Sequence, residues 1–438
     1  MTTESMRVLS LRELNRATLA RQHLLERVAM PARDMVAHLA GLQAQHPMSS
    51  YYTLWTRIAD FDPQELVTLM TDRDVVRIAM MRSTIHTLTA DDCLTWRPLI
   101  TPVIDRMTKT SHGKGYGSAD KDELIRIGRE FVDEKPRTFA EVGAFLGARW
   151  PDAQPSALAQ ALRAWVPLVQ VTPRGLWGRS GAVAHTTAEH WLGREQAADP
   201  SLDDVVLRYL AALGPASVKD FQVWSGLTRT KPVFERLRPQ LAVFRDENGR
   251  ELFDLPEAPR PDADTPAPVR FLADFDNIFL SHEDRSRVVT REWQQWGLDQ
   301  GNMLWGGLLV DGAGRAAWRI ERTKDTATLL ISSGPEPKNA LKAHRAAIEA
   351  EAAKLMSFAA PDRDKHDIVY KSPKWFRPEP RGVPEPAKGA PAVRPGRPSL
   401  HCVFVLTAPW TGMPWCGRAA GWSGRRAGGR TRPPRRRP

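Results

Sequence analysis

Apolar residues recur at three- and four-residue spacing through most of the first 240 positions, then at two-residue spacing between about 269 and 333. The first spacing gathers apolar side chains on one face of a helix, the second on one face of a strand. The order is clearest between Ser201 and Pro256. A periodic helix (DDVVLRYLAALG) stops at Gly214-Pro215, and Ser217 caps a second helix (VKDFQVWSG) that Gly226 closes. A third helix containing KPVFERLRPQL leads into a hairpin with an Asn248-Gly249 turn and the returning strand Glu251 to Leu255. Three helices and a hairpin are the order of a winged helix.

The same order recurs between Lys121 and Leu192. Helix DELIRIGREFVDE precedes Thr138, which caps AEVGAFLGARW; Ser156 caps ALAQALRAWV; Leu168 to Val171, a turn at Thr172 to Gly175 and Leu176 to Gly178 then form the hairpin. A looser first copy runs through helices SLRELNRATLARQHLL, PARDMVAHLAGLQ, YYTLWTRIA and PQELVTLMTD. Strands Arg77 to Met81 and Thr84 to Leu88 follow, joined at Arg82-Ser83, and a helix from Ala90 to Arg106 runs into the glycine-rich linker SHGKGYGS. The alternating segments RFLADFDNIFLS, GNMLWGGLLVDG, GRAAWRIERTKD and TATLLIS predict a small β-barrel or curled antiparallel sheet, followed by a closing helix. The expected fold class is α+β: three tandem winged-helix units around that barrel. The units span 1–118, 119–198 and 199–262, the barrel and helix 263–376, and a tail 377–438.

Composition changes this picture in one place. The net charge of +11 is carried wholly by the segment from Arg377 onward, and residues 1–376 balance to zero. Rich in Pro, Gly and Arg, that tail is expected to be disordered, because it cannot bury enough apolar surface to offset chain entropy. Nucleic-acid binding by the body must therefore rest on local patches. Cys93, Cys402 and Cys416 are too scattered for a disulfide framework or a metal site. No glycine-rich nucleotide loop, GxSxG or HExxH occurs, so no cofactor, nucleotide or metal is expected. No stretch has the length and apolarity of a membrane span. The start MTTESMRVLSLREL lacks the apolar run of an export signal, and the expected location is the cytoplasm, at the nucleoid when bound to DNA.

The segments RELNRATLARQHLLER, HLAGLQAQHPMSSYYTLWTRI, RIAMMRSTIHTLTADD and FLADFDNIFLSHEDRSRV together resemble the AlkZ-like, YcaQ-related winged-helix DNA glycosylases, which unhook interstrand crosslinks. The resemblance extends from about Leu9 to Phe358. It implies three winged helices around a barrel and a Gln-x-Gln motif that supplies the catalytic side chains; Gln43-Ala44-Gln45 matches that motif. The implied substrate is a purine alkylated at N7, already cationic and ready to leave neutral, so strong acid catalysis is unnecessary. What remains is to aim a water at the sugar carbon. An amide carbonyl can accept a hydrogen bond from that water but cannot take its proton. Gln43 and Gln45 are assigned that task jointly, on a helix end that Pro47 terminates, with extended geometry placing both on one side.

Arg82, Thr84 and His86 fit the family's Arg-x-Thr-x-His stretch, with His86 read as a core residue and Asp276-Asn277 as a structural turn. Expected contacts to double-stranded DNA are Arg82, Arg174 and Arg179, with Arg229 and Lys231 in the third unit. No lysine stands beside Gln43, so a monofunctional, monomeric hydrolase is expected rather than a lyase. The alternative is a non-enzymatic winged-helix DNA-binding protein, a regulator or lesion-binding factor; a protein scaffold is a weaker third reading.

Overall fold

The computed structural model describes residues 6–299, 305–337 and 339–371. The tail expected from 377 onward lies outside them.

The first stretch runs β1 (Val8–Leu9), α1 (Leu11–Arg21), α2 (Ala32–His38), β2 (Leu42–Gln43), α3 (Ser49–Arg57), α4 (Pro63–Thr71), β3 (Val75–Ala79), β4 (Ile85–Thr89) and α5 (Ala90–His112). The second adds α6 (Lys121–Glu134), β5 (Arg137–Thr138), α7 (Phe139–Arg149), α8 (Pro155–Trp165), β6 (Leu168–Gln170), β7 (Ala184–Thr187) and α9 (Ala188–Leu192). Then come α10 (Leu202–Leu213), α11 (Val218–Ser225), α12 (Lys231–Leu237), β8 (Ala242–Asp246) and β9 (Glu251–Asp254). The last stretch holds β10 (Arg270–Leu272), α13 (Arg291–Asp299), β11 (Gly306–Val310), β12 (Ala313–Arg322), β13 (Thr326–Ser332), α14 (Arg345–Ala359) and β14 (Lys365–Lys371).

Local chemistry sets many of these boundaries. Ser10 with Glu13, Thr138 with Glu141 and Ser217 with Asp220 form reciprocal caps on α1, α7 and α11. Pro155, not Ser156, opens α8, since a proline in the first turn gives up only an N–H that has no intrahelical partner. Gly226 ends α11 in the left-handed conformation.

The hairpins do not stand apart as three wings. Strand β3 pairs antiparallel with β6, through Arg77 with Gln170 and Ile78 with Val169, which fuses two of them into one six-stranded sheet ordered β2-β4-β3-β6-β7-β5. The second hairpin returns at Ala184–Thr187 rather than at Leu176 to Gly178. Residues between them fold back instead, with the Tyr51 hydroxyl on the Gly175 carbonyl at 2.9 Å and Trp177 packed on Tyr51 and Phe358. The glycine-rich stretch after α5 is a packed junction rather than a loose linker: the Gln154 N–H bonds the Gly115 carbonyl at 2.8 Å, and a Cβ on Gly115 would stand 2.8 Å from that of Ala157.

The expected barrel is not closed. Strands β10 to β14 form an open sheet in sequence order, and its two edge strands are not paired with each other. Its last pair, β13 with β14, is parallel, because α14 carries the chain back across the sheet before β14 is laid down. The segment RFLADFDNIFLS is a strand only to Leu272; Phe275 takes a positive φ of 55° and a short turn follows at Asn277–Phe279.

The cores cross the divisions drawn from sequence. Ile78, Trp96 and Val103 pack with Tyr209, Leu210 and Phe221, while Leu54 and Leu66 pack with Phe271, Leu329 and Leu355. Leu124, Val142, Leu158 and Leu162 form a core within the second stretch alone. Among the described residues no helix is long and apolar enough to cross a membrane.

Candidate active site

Helix α2 ends at His38, five residues before Gln43, so Gln43 lies on an edge strand rather than a helix end, and Gln45 lies in the bend that follows. Ala40 and Gly41 make the turn, both at positive φ (55° and 87°). Gly41 suits that conformation, and a Cβ there would stand 2.6 Å from Leu88 Cδ2. Strand β2 pairs antiparallel with β4, Gln43 opposite His86, and the Ala44 N–H continues the ladder to the Ile85 carbonyl at 2.8 Å.

Both glutamine side chains turn toward the β3–β4 connection. Gln43 is 4% exposed and its Oε1 accepts from Arg82 Nη2 at 2.6 Å. Gln45 is exposed and its Oε1 accepts from the Ile85 N–H at 3.2 Å. Arginine has donors only, so Arg82 fixes which way the Gln43 amide faces. Arg82 itself is buried, with φ +56°, and also donates to the Trp224 carbonyl. Its Nε has no partner. Burial, then the nearby Arg285 charge, pushes its pKa down to about 9.

The opposite side of the motif is braced by the segment after β10. Asn277 Nδ2 donates to the carbonyls of Gly41 (2.7 Å) and Leu39 (3.2 Å), and its Oδ1 accepts from the Gln43 N–H at 3.4 Å. Asp276 forms a bidentate ion pair with Arg57 at 2.8 and 2.9 Å, both side chains fully buried. Asp274 accepts from Ser49 Oγ at 2.7 Å through one oxygen, and its Oδ2 is covered without a hydrogen-bond partner. Burial holds the Asp274 pKa above the ordinary carboxylate range. On the inner face, Arg77 donates to the carbonyls of Ala44 (3.0 Å) and Pro47 (3.2 Å), tying the motif to the second hairpin. His86 is 1% exposed, with Nδ1 3.0 Å from the Thr84 carbonyl; burial, then the Arg82 charge, lowers its pKa to about 3 and keeps it neutral. Among the described residues no three His, Cys, Asp or Glu side chains converge as a metal site requires.

The sequence model of the DNA glycosylase AlkZ-like family matches residues 36–358, a span that holds this whole cluster. The chain belongs to the AlkZ-like DNA glycosylase family. A curated relative, the interstrand DNA cross-link repair glycosylase of Streptomyces sahachiroi, is 26% identical over 290 residues, which is 61% of this chain and 76% of that protein. The solved structure of the DNA glycosylase AlkZ of Streptomyces sahachiroi shares the fold at a TM-score of 0.64 and 21% identity, covering 83% of this chain and all of that one. Membership makes the protein a DNA glycosylase, so its substrate is DNA.

Within this AlkZ-like chain the cations named from sequence fall into three settings. Arg82 is inside the protein, in contact with Gln43 rather than presented to a phosphate. Arg174 is half-buried beside Arg77 and lines a small cavity with it and Gln170. Arg179, Arg229 and Lys231 are exposed, and the loop that carries Arg229 begins at Gly226, whose Cβ position is 3.5 Å from the Arg82 backbone. Sequence reasoning passed over Asp274, Arg77 and Ser49. Nothing local marks them, since the contacts of Arg77 with Ala44 and Pro47 and of Ser49 with Asp274 join residues 30 to 225 positions apart.

Proposed function

We propose that this glycosylase hydrolyses the N-glycosidic bond of N7-alkylated or crosslinked purines in double-stranded DNA, with Gln43 and Gln45 positioning the water. The observation that carries the reading is the Arg82–Gln43 contact: a buried guanidinium holds one motif amide in a single orientation, and an exposed second amide follows two residues on, in the bend after the edge strand. Pre-organised dipoles of this kind lower a barrier because they need not reorient as charge develops. The second lone pair of Gln43 Oε1 accepts one hydrogen of the water, and Gln45, facing solvent, takes part in the same placement. The N7-alkyl base brings its own positive charge and departs neutral, which is why a site built of amides suffices for the leaving group.

Exposed Arg179, Arg229 and Lys231 serve as phosphate contacts in this reading, with half-buried Arg174 next to Arg77. Three winged-helix units remain the domain reading, because the helix–hairpin order recurs three times even though two hairpins share a sheet. The protein works as a monofunctional enzyme without a bound cofactor, in the cytoplasm and as a monomer. Purified protein incubated with a 7-methylguanine duplex and with a nitrogen-mustard crosslinked duplex releases the base and leaves an abasic site. Absence of abasic product from both substrates defeats the reading.

A further inference from the structure

We propose that Asp274 receives the proton of the hydrolytic water, a role neither amide of the Gln43-Ala44-Gln45 motif can fill; this rests on reading the chain as a hydrolase acting at that motif. The segment 274–277 meets the motif at Gln43 through Asn277, and the residue just after the motif through Ser49. Asn277 takes the Gln43 N–H and holds the Leu39 and Gly41 carbonyls, and Ser49 Oγ, 2.7 Å from Asp274 Oδ1, is also 3.0 Å from the carbonyl of His46, the residue after Gln45.

The other polar groups of the cluster are already engaged. Asp276 has both oxygens on Arg57, Gln43 Oε1 is on Arg82, and Gln45 Oε1 is on the Ile85 N–H. Asp274 has no salt bridge among the described residues, and its Oδ2 is covered by the chain with no partner. A covered carboxylate oxygen with no donor is unfavourable, and a purely structural aspartate at this place would gain by pairing as Asp276 does. The groups facing Asp274 are Ser49, His46, its own backbone N–H and Asp276. Burial and the Asp276 charge raise its pKa, while Ser49, His46 and the backbone lower it, and burial outweighs the rest. A carboxylate made more basic than usual suits proton acceptance better than an exposed one.

The step balances. The water oxygen bonds the sugar C1′ as the C1′–N9 bond breaks; that electron pair enters the alkylated ring and cancels its positive charge, so the base leaves neutral. One water proton passes to Asp274 Oδ2, the sugar keeps the hydroxyl, and the carboxyl later returns its proton to solvent. While ionised, the same carboxylate opposes the positive charge that develops on the sugar.

The test is the single-turnover rate of base release from a 7-methylguanine duplex, followed from acid to neutral pH for the wild type, Asp274→Asn and Ser49→Ala. The wild-type rate rises with pH along a limb above the ordinary carboxylate range. Asp274→Asn lowers the rate about 100-fold or more and removes that limb, with duplex affinity and melting temperature retained. Ser49→Ala moves the limb to higher pH, because it removes a hydrogen bond to the charged form, and this readout does not depend on how Asp274→Asn folds. An Asp274→Asn protein with a rate comparable to the wild type, or with the limb intact, overturns the proposal, as does an unmoved limb in Ser49→Ala. Those outcomes leave the hydrolase reading standing, whereas a wild type that binds the duplex and releases no base defeats both.

Discussion

Gln43 meets a partner that can only donate, and this restricts its chemistry more than burial does. Its carbonyl faces Arg82, so a water beside the motif finds the carbonyl's second lone pair and the amide N–H groups in fixed directions. Gln43→Ala removes the acceptor, and the expected result is a loss of about 100-fold in the single-turnover rate with duplex affinity retained. Arg82→Ala leaves the amide in place but frees it to turn. Its expected effect is smaller, about tenfold, and confined to the chemical step, because Arg82 is buried. Equal losses in rate and in duplex affinity for Arg82→Ala would instead make it a DNA contact. The Gln43-Ala44-Gln45 motif is legible as a motif because it is contiguous and stands in a recognisable surrounding. The contact of Arg82 with Gln43 was not legible, because it comes with a positive φ at Arg82 and Ser83 and a hydrogen bond to the Trp224 carbonyl, 142 residues away.

At the scale of elements, the edge strand β2 is only two residues long, and cross-strand pairing alone holds so short a strand weakly. The segment after β10 supplies the remainder, through Asn277 on the turn and Asp276 on Arg57 of α3; Arg57 also reaches Gln22 Oε1 at 3.0 Å, and Gln22 Nε2 the Ala212 carbonyl at 2.8 Å. One buried pair therefore ties α1, α3 and α10 to the segment that braces the motif. Asp276→Ala leaves Arg57 as an uncompensated buried cation, and the expected loss is about 3–5 kcal/mol, read from urea unfolding. A loss below about 1 kcal/mol, the range of exposed pairs, would show the brace to be dispensable. Elements whose punctuation is local were readable: Ser217, Gly226 and Asn248-Gly249 bound the helices and hairpin of the third unit where the sequence places them. The return of the second hairpin was not readable, since Pro173 and Gly175 signal a tight turn while Tyr51 and Phe358, distant in sequence, draw residues 175–177 elsewhere. Strand β14 was not expected for the same reason: it carries charges at Lys365 and Asp367, lacks a period-two apolar signal, and becomes a strand only when β13 offers an edge.

The described body as a whole folds around histidines that it keeps neutral. His86, His185 and His282 are 1%, 2% and 1% exposed and belong to three different regions of the chain. Burial is the largest cause of each shift, pushing the pKa down to about 3, 4 and 3 in turn; for His282 the Arg287 charge adds to the lowering and Asp220 opposes it. In the unfolded chain each titrates near 6.5. Between that value and the folded one, the unfolded state binds a proton that the folded state refuses, so stability is complete above about pH 6.5 and falls as pH drops toward about 4. Each group contributes roughly 1.4 kcal/mol per pH unit within that window. Urea unfolding at steps from about pH 7 to about pH 5 is expected to show stability falling with a slope of at least about three protons, because His23, lowered to about 4 by burial, and His38, also lowered by burial, add to these three. His185→Gln, at a ring stacked on Phe139 with a centroid separation of 4.1 Å, is expected to lose some stability at neutral pH and to reduce the slope by about one proton. A flat stability profile across that range would mean that these imidazoles take up protons in the folded state. It would also remove the physical ground for treating His86, beside the motif, as neutral when the water is aimed.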